Sequence, residues 1–165
     1  MGTVITEFLV PNADADQVFE ALGDFERYAE HTDAVREVRV TSVNARTASR
    51  RTVESAWSVN FRGGVLCWVE RAYLDRIGRT IRFAQTDGDF AAYYGDWGVR
   101  QSGGDVTVRH TAAFDLGMPS LAAVLEPIAE RTLRANVDTV LRGLLGDSVV
   151  ALDLSDDPAT NRLAA

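Results

Sequence analysis

Two side chains in this sequence sit where acid–base chemistry is most easily arranged, and both are recognised by strand parity. Over 66–72 the row Leu66, Trp68, Glu70, Ala72 shares one face of a strand, while Cys67, Val69 and Arg71 share the other. Glu70 is therefore a carboxyl inside an apolar, aromatic row. Such a group is either paired or raised in pKa, and both suit acid–base work; the alternative is a purely structural salt bridge with an arginine. Over 106–114 the row Val106, Val108, His110, Ala112, Phe114 places one of the two histidines on an apolar face. An imidazole there is either a hydrogen-bonded core residue or an acid–base group. The other histidine, His31, falls in a turn and reads as exposed.

Around these two stand rings and one amide. Trp57, Trp68, Tyr93 and Trp97 lie on three of the alternating runs, Tyr93 and Trp97 at the same parity. They read either as core packing or as the lining of a site for a flat or conjugated ligand. Tyr94 and Asp96 have the opposite parity and are expected to face solvent. Asn136 lies on the apolar stripe of a long helix, between Leu133 and Val140. Asparagine is a poor helix former, so a tertiary role is expected: binding a ligand carbonyl or capping a buried backbone group.

These residues are carried by a regular order of elements. Thr3 to Val10 alternates and reads as a first strand. Asp14 is a helix N-cap candidate ahead of Val18, Phe19 and Leu22, and Phe25 to His31 is a second short helix or turn. Five further alternating runs cover Val35–Val43, Arg50–Phe61, Val65–Asp75, Arg79–Thr86 and Phe90–Arg100, and a sixth covers Val106–Asp115. Turns are expected at Arg62-Gly63-Gly64, Ile77-Gly78, Asp87-Gly88 and Ser102-Gly103-Gly104-Asp105. From Pro119 an apolar stripe at helical spacing, Leu121 through Leu144, runs for about 26 residues, or roughly 39 Å. Pro127 is a candidate bend in it, and Gly146 closes it. The fold class is α+β: an antiparallel sheet of about seven strands curled around one long C-terminal helix, with two short helices after the first strand. A gap where sheet and helix diverge is a natural apolar cavity. One domain is expected over residues 1–147, followed by a tail over 148–165.

Composition excludes several classes. The 165 residues carry a net charge of −7, which argues against nucleic acid and anionic membranes as partners. All 17 basic residues are arginine, so Schiff-base lysines and a P-loop lysine are out. The single cysteine, Cys67, excludes an internal disulfide, and no Cys/His cluster calls for a metal. No apolar run approaches a membrane span, and the first residues lack the pattern of a secretory signal, so a cytoplasmic location is expected.

The layout resembles the helix-grip fold of the START-like, Bet v 1-like (SRPBCC) superfamily, and within it the polyketide cyclase/aromatase and Coq10-like branch. The resemblance rests on Phe8-Leu9-Val10-Pro11 before Val18-Phe19, on Trp68-Val69-Glu70-Arg71 and Trp97-Gly98-Val99, then on Phe114-Asp115-Leu116-Gly117-Met118-Pro119 and Arg134-Ala135-Asn136. It covers Thr3 to Gly146. It implies that the Trp68 face lines an internal cavity and that no cofactor or metal is needed. One implied activity is aldol ring closure and dehydration of a poly-β-ketone, with Glu70 and His110 as acid–base groups and Trp57, Trp68, Tyr93, Trp97 and Asn136 as substrate-binding residues. The other is carriage of a hydrophobic ligand such as a quinone or lipid, without chemistry. An acyl carrier protein is the implied protein partner, and the cluster Arg46, Arg50, Arg51 either docks it or is simply a solvated strand. Two positions depart from the ring-forming aromatase/cyclases: Ala72 stands where they carry arginine, and Val35 stands near the position of a tyrosine. Asn136 matches.

Overall fold

The computed structural model describes residues 1–154. Eight strands form one sheet: β1 (Gly2–Val10), β2 (Val35–Ala45), β3 (Arg50–Phe61), β4 (Gly64–Asp75), β5 (Thr80–Gly88), β6 (Ala92–Ser102), β7 (Asp105–Asp115) and β8 (Val150–Ala151). Their order is β2-β3-β4-β5-β6-β7-β1-β8, antiparallel throughout. Helix α1 (Ala15–Leu22) and a 3₁₀ segment (Phe25–Glu30) follow β1, and helix α2 (Ala122–Leu145) follows β7 after a short 3₁₀ turn. This is the α+β helix-grip architecture, with a two-residue strand added to the seven.

The local reasons are those of the pattern. Asp14 Oδ1 accepts from the backbone N–H groups of Asp16 and Gln17 at 3.0 and 3.1 Å, satisfying two of the free donors at the start of α1. Along β7 the buried residues are Val106, Val108, His110, Ala112 and Phe114, the row set by parity. One turn is displaced. Asp87-Gly88 closes β5 as its last paired residues and the bend follows at 89–91, with an irregularity opposite Val69/Glu70 that inserts an extra residue, Thr86. Gly88 has φ of 149°, and a Cβ there would lie 2.5 Å from Trp68 Cα, so only glycine lets β5 run this close behind the tryptophan.

The long helix also differs from its stripe. Only Val137, Val140 and Leu141 of α2 are buried, whereas Leu121 and Val124 are 47% and 62% exposed. At 24 residues the helix is roughly 36 Å long, longer than the core it covers. Its buried residues fall in its C-terminal half, and its middle, from Ala129 to Val140, lines the cavity. Gly146, with φ of 102°, ends it. Beyond it, Val149 is 1% exposed, Val150–Ala151 pairs with β1, and the Leu152 N–H donates to Glu7 at 2.8 Å. The first part of the segment expected as a tail is thus woven into the sheet. The remainder of that tail lies outside the described residues.

Candidate active site

All seven residues singled out as site candidates, Glu70, His110, Trp57, Trp68, Tyr93, Trp97 and Asn136, line one cavity of about 140 Å³ between the sheet and α2. Its floor is built from register. Trp57 and Trp68 are direct partners across β3 and β4, and their indoles stack with centroids 5.7 Å apart and planes 5° apart. Ser55 and Glu70 are the next inward pair along the same ladder. Each indole reaches along its own strand to that pair. Trp57 Nε1 donates to Ser55 Oγ at 2.8 Å, and Trp68 Nε1 donates to Glu70 Oε2 at 2.9 Å. The stack therefore orients the carboxyl through one oxygen only.

A chain of rings continues from the stack. Phe25 and Tyr28 flank Trp57 at 6.0 and 5.6 Å. Phe90 and Tyr93 meet Trp68 edge-on at 5.4 and 5.3 Å. Phe83 bridges Tyr93 to His110, and Trp97 lies 4.3 Å from the imidazole. Aromatic faces thus wall the site, with polar atoms only at Glu70, His110 and a few amide and hydroxyl groups.

Burial sets the charge states. Glu70 is 4% exposed, and the loss of water lifts its carboxyl from 4.5 to about 7, against the downward pull of the Trp68 hydrogen bond. Among the described residues no ion pair reaches Glu70, so of the two sequence readings the unpaired carboxyl is the one realised. Near neutral pH it exists as both acid and base. His110, 2% exposed, is pushed the other way, down to about 3, again by burial. The imidazole is neutral near pH 7 and does not titrate there as a free histidine would. Nor is it a satisfied core histidine among the described residues, where its Nδ1 is buried without a hydrogen-bond partner. The phenols of Tyr28 and Tyr93 are pushed well above their ordinary range by burial first and by the Glu70 charge second. Tyr28 spends its proton on the Leu22 carbonyl at 2.6 Å.

The other expectations divide. Asn136 lines the cavity from α2, and no backbone cap by its amide occurs among the described residues. Tyr94 and Asp96 face outward, Asp96 accepting from the Thr111 hydroxyl. His31 is half-buried rather than exposed: it packs on α2 where Gly143 leaves room, since a Cβ at that glycine would fall 2.3 Å from the ring. Ala72 is fully buried and Val35 lines the cavity, so both departures are internal. The cluster Arg46, Arg50, Arg51 lies at the end of β3 opposite the cavity-lining Asn60–Phe61, about 30 Å along the strand. Arg50 and Arg51 face Asp75 and Glu20 at 3.7 and 3.6 Å. Sequence reasoning passed over Ser55, Phe25, Tyr28, Phe83 and Phe90. Ser55 was detectable as the lone hydroxyl in the inward row Val53, Ser55, Trp57, Val59. Among the described residues no acidic, histidine or cysteine group is arranged to hold a metal ion, and no helix is long and apolar enough to cross a membrane.

A curved sheet gripping a helix around an aromatic-walled cavity defines a helix-grip ligand-cavity protein. The chain belongs to the polyketide cyclase / dehydrase and lipid transport family, whose model matches residues 11–140. Among solved structures it is similar to TTHA0849 from Thermus thermophilus, at 26% identity, TM-score 0.73, covering 86% of this chain and 93% of that one. It is also similar in fold to the Zhui aromatase/cyclase from Streptomyces sp. R1128, at 19% identity, TM-score 0.66, with coverages of 87% and 90%. A START superfamily protein from Mycobacterium smegmatis aligns at 14% identity, TM-score 0.71, with coverages of 88% and 97%. No match was found among curated proteins.

Proposed function

We propose that the chain is a polyketide aromatase/cyclase that promotes aldol ring closure and dehydration of a poly-β-ketone held in the cavity. The observation that carries this reading is a buried, indole-oriented carboxyl whose pKa lies at about 7 in an aromatic-walled site. Aldol closure begins when a base removes a proton from a carbon flanked by two carbonyls. Ionised Glu70 takes that proton and becomes the acid. The enolate carbon bonds to a second carbonyl of the same chain, and the resulting alkoxide recovers the proton from Glu70. Dehydration uses the same group again, the carboxylate taking a C–H proton and the acid form protonating the departing hydroxyl. One group with a pKa near the working pH serves both directions. Neutral His110 and the Asn136 amide offer hydrogen bonds to the oxygens on which charge develops, and the ring walls hold the chain bent and exclude water. A tethered substrate would arrive on an acyl carrier protein. Arg62, exposed on the β3–β4 hairpin next to the cavity-lining Asn60 and Phe61, is an arginine placed to meet it.

The test is turnover of a poly-β-ketone surrogate by the purified protein. Glu70→Gln keeps the Trp68 hydrogen bond and should lower the rate about 100-fold or more, and His110→Ala should lower it by a smaller factor. Cyclisation no faster than in buffer alone would sink the reading.

The buried Ala72 and the cavity-lining Val35 favour a second reading, carriage of a hydrophobic ligand without chemistry. Native mass spectrometry followed by denaturing extraction separates the two. A quinone or lipid retained through purification supports the carrier; an empty cavity together with turnover supports the cyclase.

A further inference from the structure

Among the described residues, two buried polar atoms without hydrogen-bond partners belong to residues that face each other. They are His110 Nδ1 and Thr6 Oγ1. Thr6 and His110 are direct partners in the β1–β7 ladder. Both are buried, Thr6 between Val4 and Phe8 in the inward row of β1, so their side chains lie on the same face of the sheet. Side chains directly opposite each other have Cβ atoms roughly 4.5–5.5 Å apart. A threonine hydroxyl at that separation is one rotamer change, or one bridging water, from the ring nitrogen. A polar atom buried alone is costly, and cores keep such atoms only where something satisfies them. On its other side His110 meets the rings of Trp97 and Phe83. Thr6 also borders the outer groove between β1 and α2, whereas His110 borders the cavity, so the hydroxyl stands behind the imidazole as seen from the site.

We propose that Thr6 is the positioning residue of His110: its hydroxyl donates to Nδ1, directly or through one water, and holds the neutral imidazole as the Nε2–H tautomer with that N–H offered to the cavity. A neutral imidazole has one donor nitrogen and one acceptor nitrogen, and whichever partner the inner nitrogen finds decides which face the ligand meets. With Nδ1 fixed as acceptor, the cavity side presents a donor. It then selects a carbonyl, enolate or phenolate oxygen and disfavours a donor-only ligand N–H at that spot. No proton changes hands; the hydroxyl only sets which nitrogen carries it. The use made of the Nε2–H rests on the cyclase reading, but the pairing does not.

Long-range ¹H–¹⁵N spectra of ¹⁵N-histidine-labelled protein read the tautomer directly. The chain has two histidines, and His31→Gln assigns them. Wild-type His110 is expected as the Nε2–H form from pH 6 to 8, with Nδ1 shifted as a hydrogen-bond acceptor. Thr6→Ser should preserve that signature. Thr6→Val, which keeps the shape and removes the donor, should move the Nδ1 resonance and mix the tautomers. It should also weaken binding of a flat β-diketone probe about tenfold, with Thr6→Ser close to wild type. If the valine variant does not fold, Thr6→Ala takes its place. An Nδ1–H tautomer in wild type, or a His110 spectrum unmoved by loss of the hydroxyl, overturns the proposal. An intact Thr6-dependent tautomer in a protein that turns over no poly-β-ketone counts against the cyclase reading and leaves the Thr6 assignment standing.

Discussion

Glu70 and His110 carry opposite pH signatures into the stability of the protein. Burial lifts Glu70 from 4.5 to about 7, so the folded chain keeps a proton that the unfolded chain has lost. The stability from this group is whole below about pH 4.5 and is lost as pH rises through 7, a swing of about 3 kcal/mol. Burial lowers His110 from 6.5 to about 3, so its contribution is whole above pH 6.5 and is lost as pH falls towards 3. Between about pH 4.5 and 6.5 the two slopes cancel. Glu70→Gln removes one of them. The variant should gain stability relative to wild type as pH rises from 4.5 to 8, by about 3 kcal/mol over the interval. Urea melts at pH 5, 6, 7 and 8 would measure it, and a constant difference would mean that Glu70 is ionised throughout. Parity exposed His110, and parity together with the family resemblance, which turns the Trp68 face inward, exposed Glu70. Their charge states were not visible, because these depend on how completely α2 and the rings exclude water.

At the scale of elements, α2 has two halves with different work. The C-terminal half contributes Val137, Val140 and Leu141 to the core, while the half from Ala122 to Ala135 has no buried residue. Pro127 removes a backbone donor from that same half. Amide exchange follows local burial and hydrogen bonding. The N-terminal half should therefore exchange at least about tenfold faster than the segment 137–145, as read by hydrogen–deuterium exchange with mass spectrometry. A cavity of about 140 Å³ has room for roughly one benzene-sized ring. A polycyclic or extended ligand is expected to displace the unburied stretch of α2 that lines the cavity through Ala129, Thr132 and Leu133, so binding should change its exchange more than that of β6 and β7. Equal protection along the helix would show that the cavity is closed by packing of the whole of α2. The helix itself was legible from its 3.6 period. Its division was not, because Leu121, Val124 and Leu125 repeat the stripe whether or not a core lies beneath them. Asp87-Gly88 misled for a related reason: the dipeptide favours a turn, but here the glycine serves the close approach of β5 to Trp68.

For the whole molecule, the meander and the grip of sheet on helix follow from six consecutive alternating runs and one long amphipathic helix. That order admits few other topologies. What local pattern could not show is how the sheet ends. β2, at one margin, carries two irregularities and the outward charges Arg36, Glu37 and Arg39, which discourage pairing with another chain. At the other margin β1 would be open but for β8. Arg142 holds that closure from α2. It donates to the Val149 carbonyl at 2.7 Å while Asp138, one turn back, pairs with its guanidinium at 2.9 Å. Val149 is buried at the junction of sheet and helix, and Leu152 completes the seam by its backbone bond to Glu7. One short segment thus ties the first strand to the last helix. Val149→Ala deletes two buried methyl groups there and leaves the backbone pairing in place. By the usual cost of core truncations it should destabilise the protein by about 2 kcal/mol. Arg142→Ala, which removes the clamp, should add to that loss less than its own single effect, since both variants loosen the same seam. A double-mutant cycle of urea midpoints reads the coupling. Strict additivity would mean that the 146–152 segment rests on the sheet without bracing the helix that roofs the cavity.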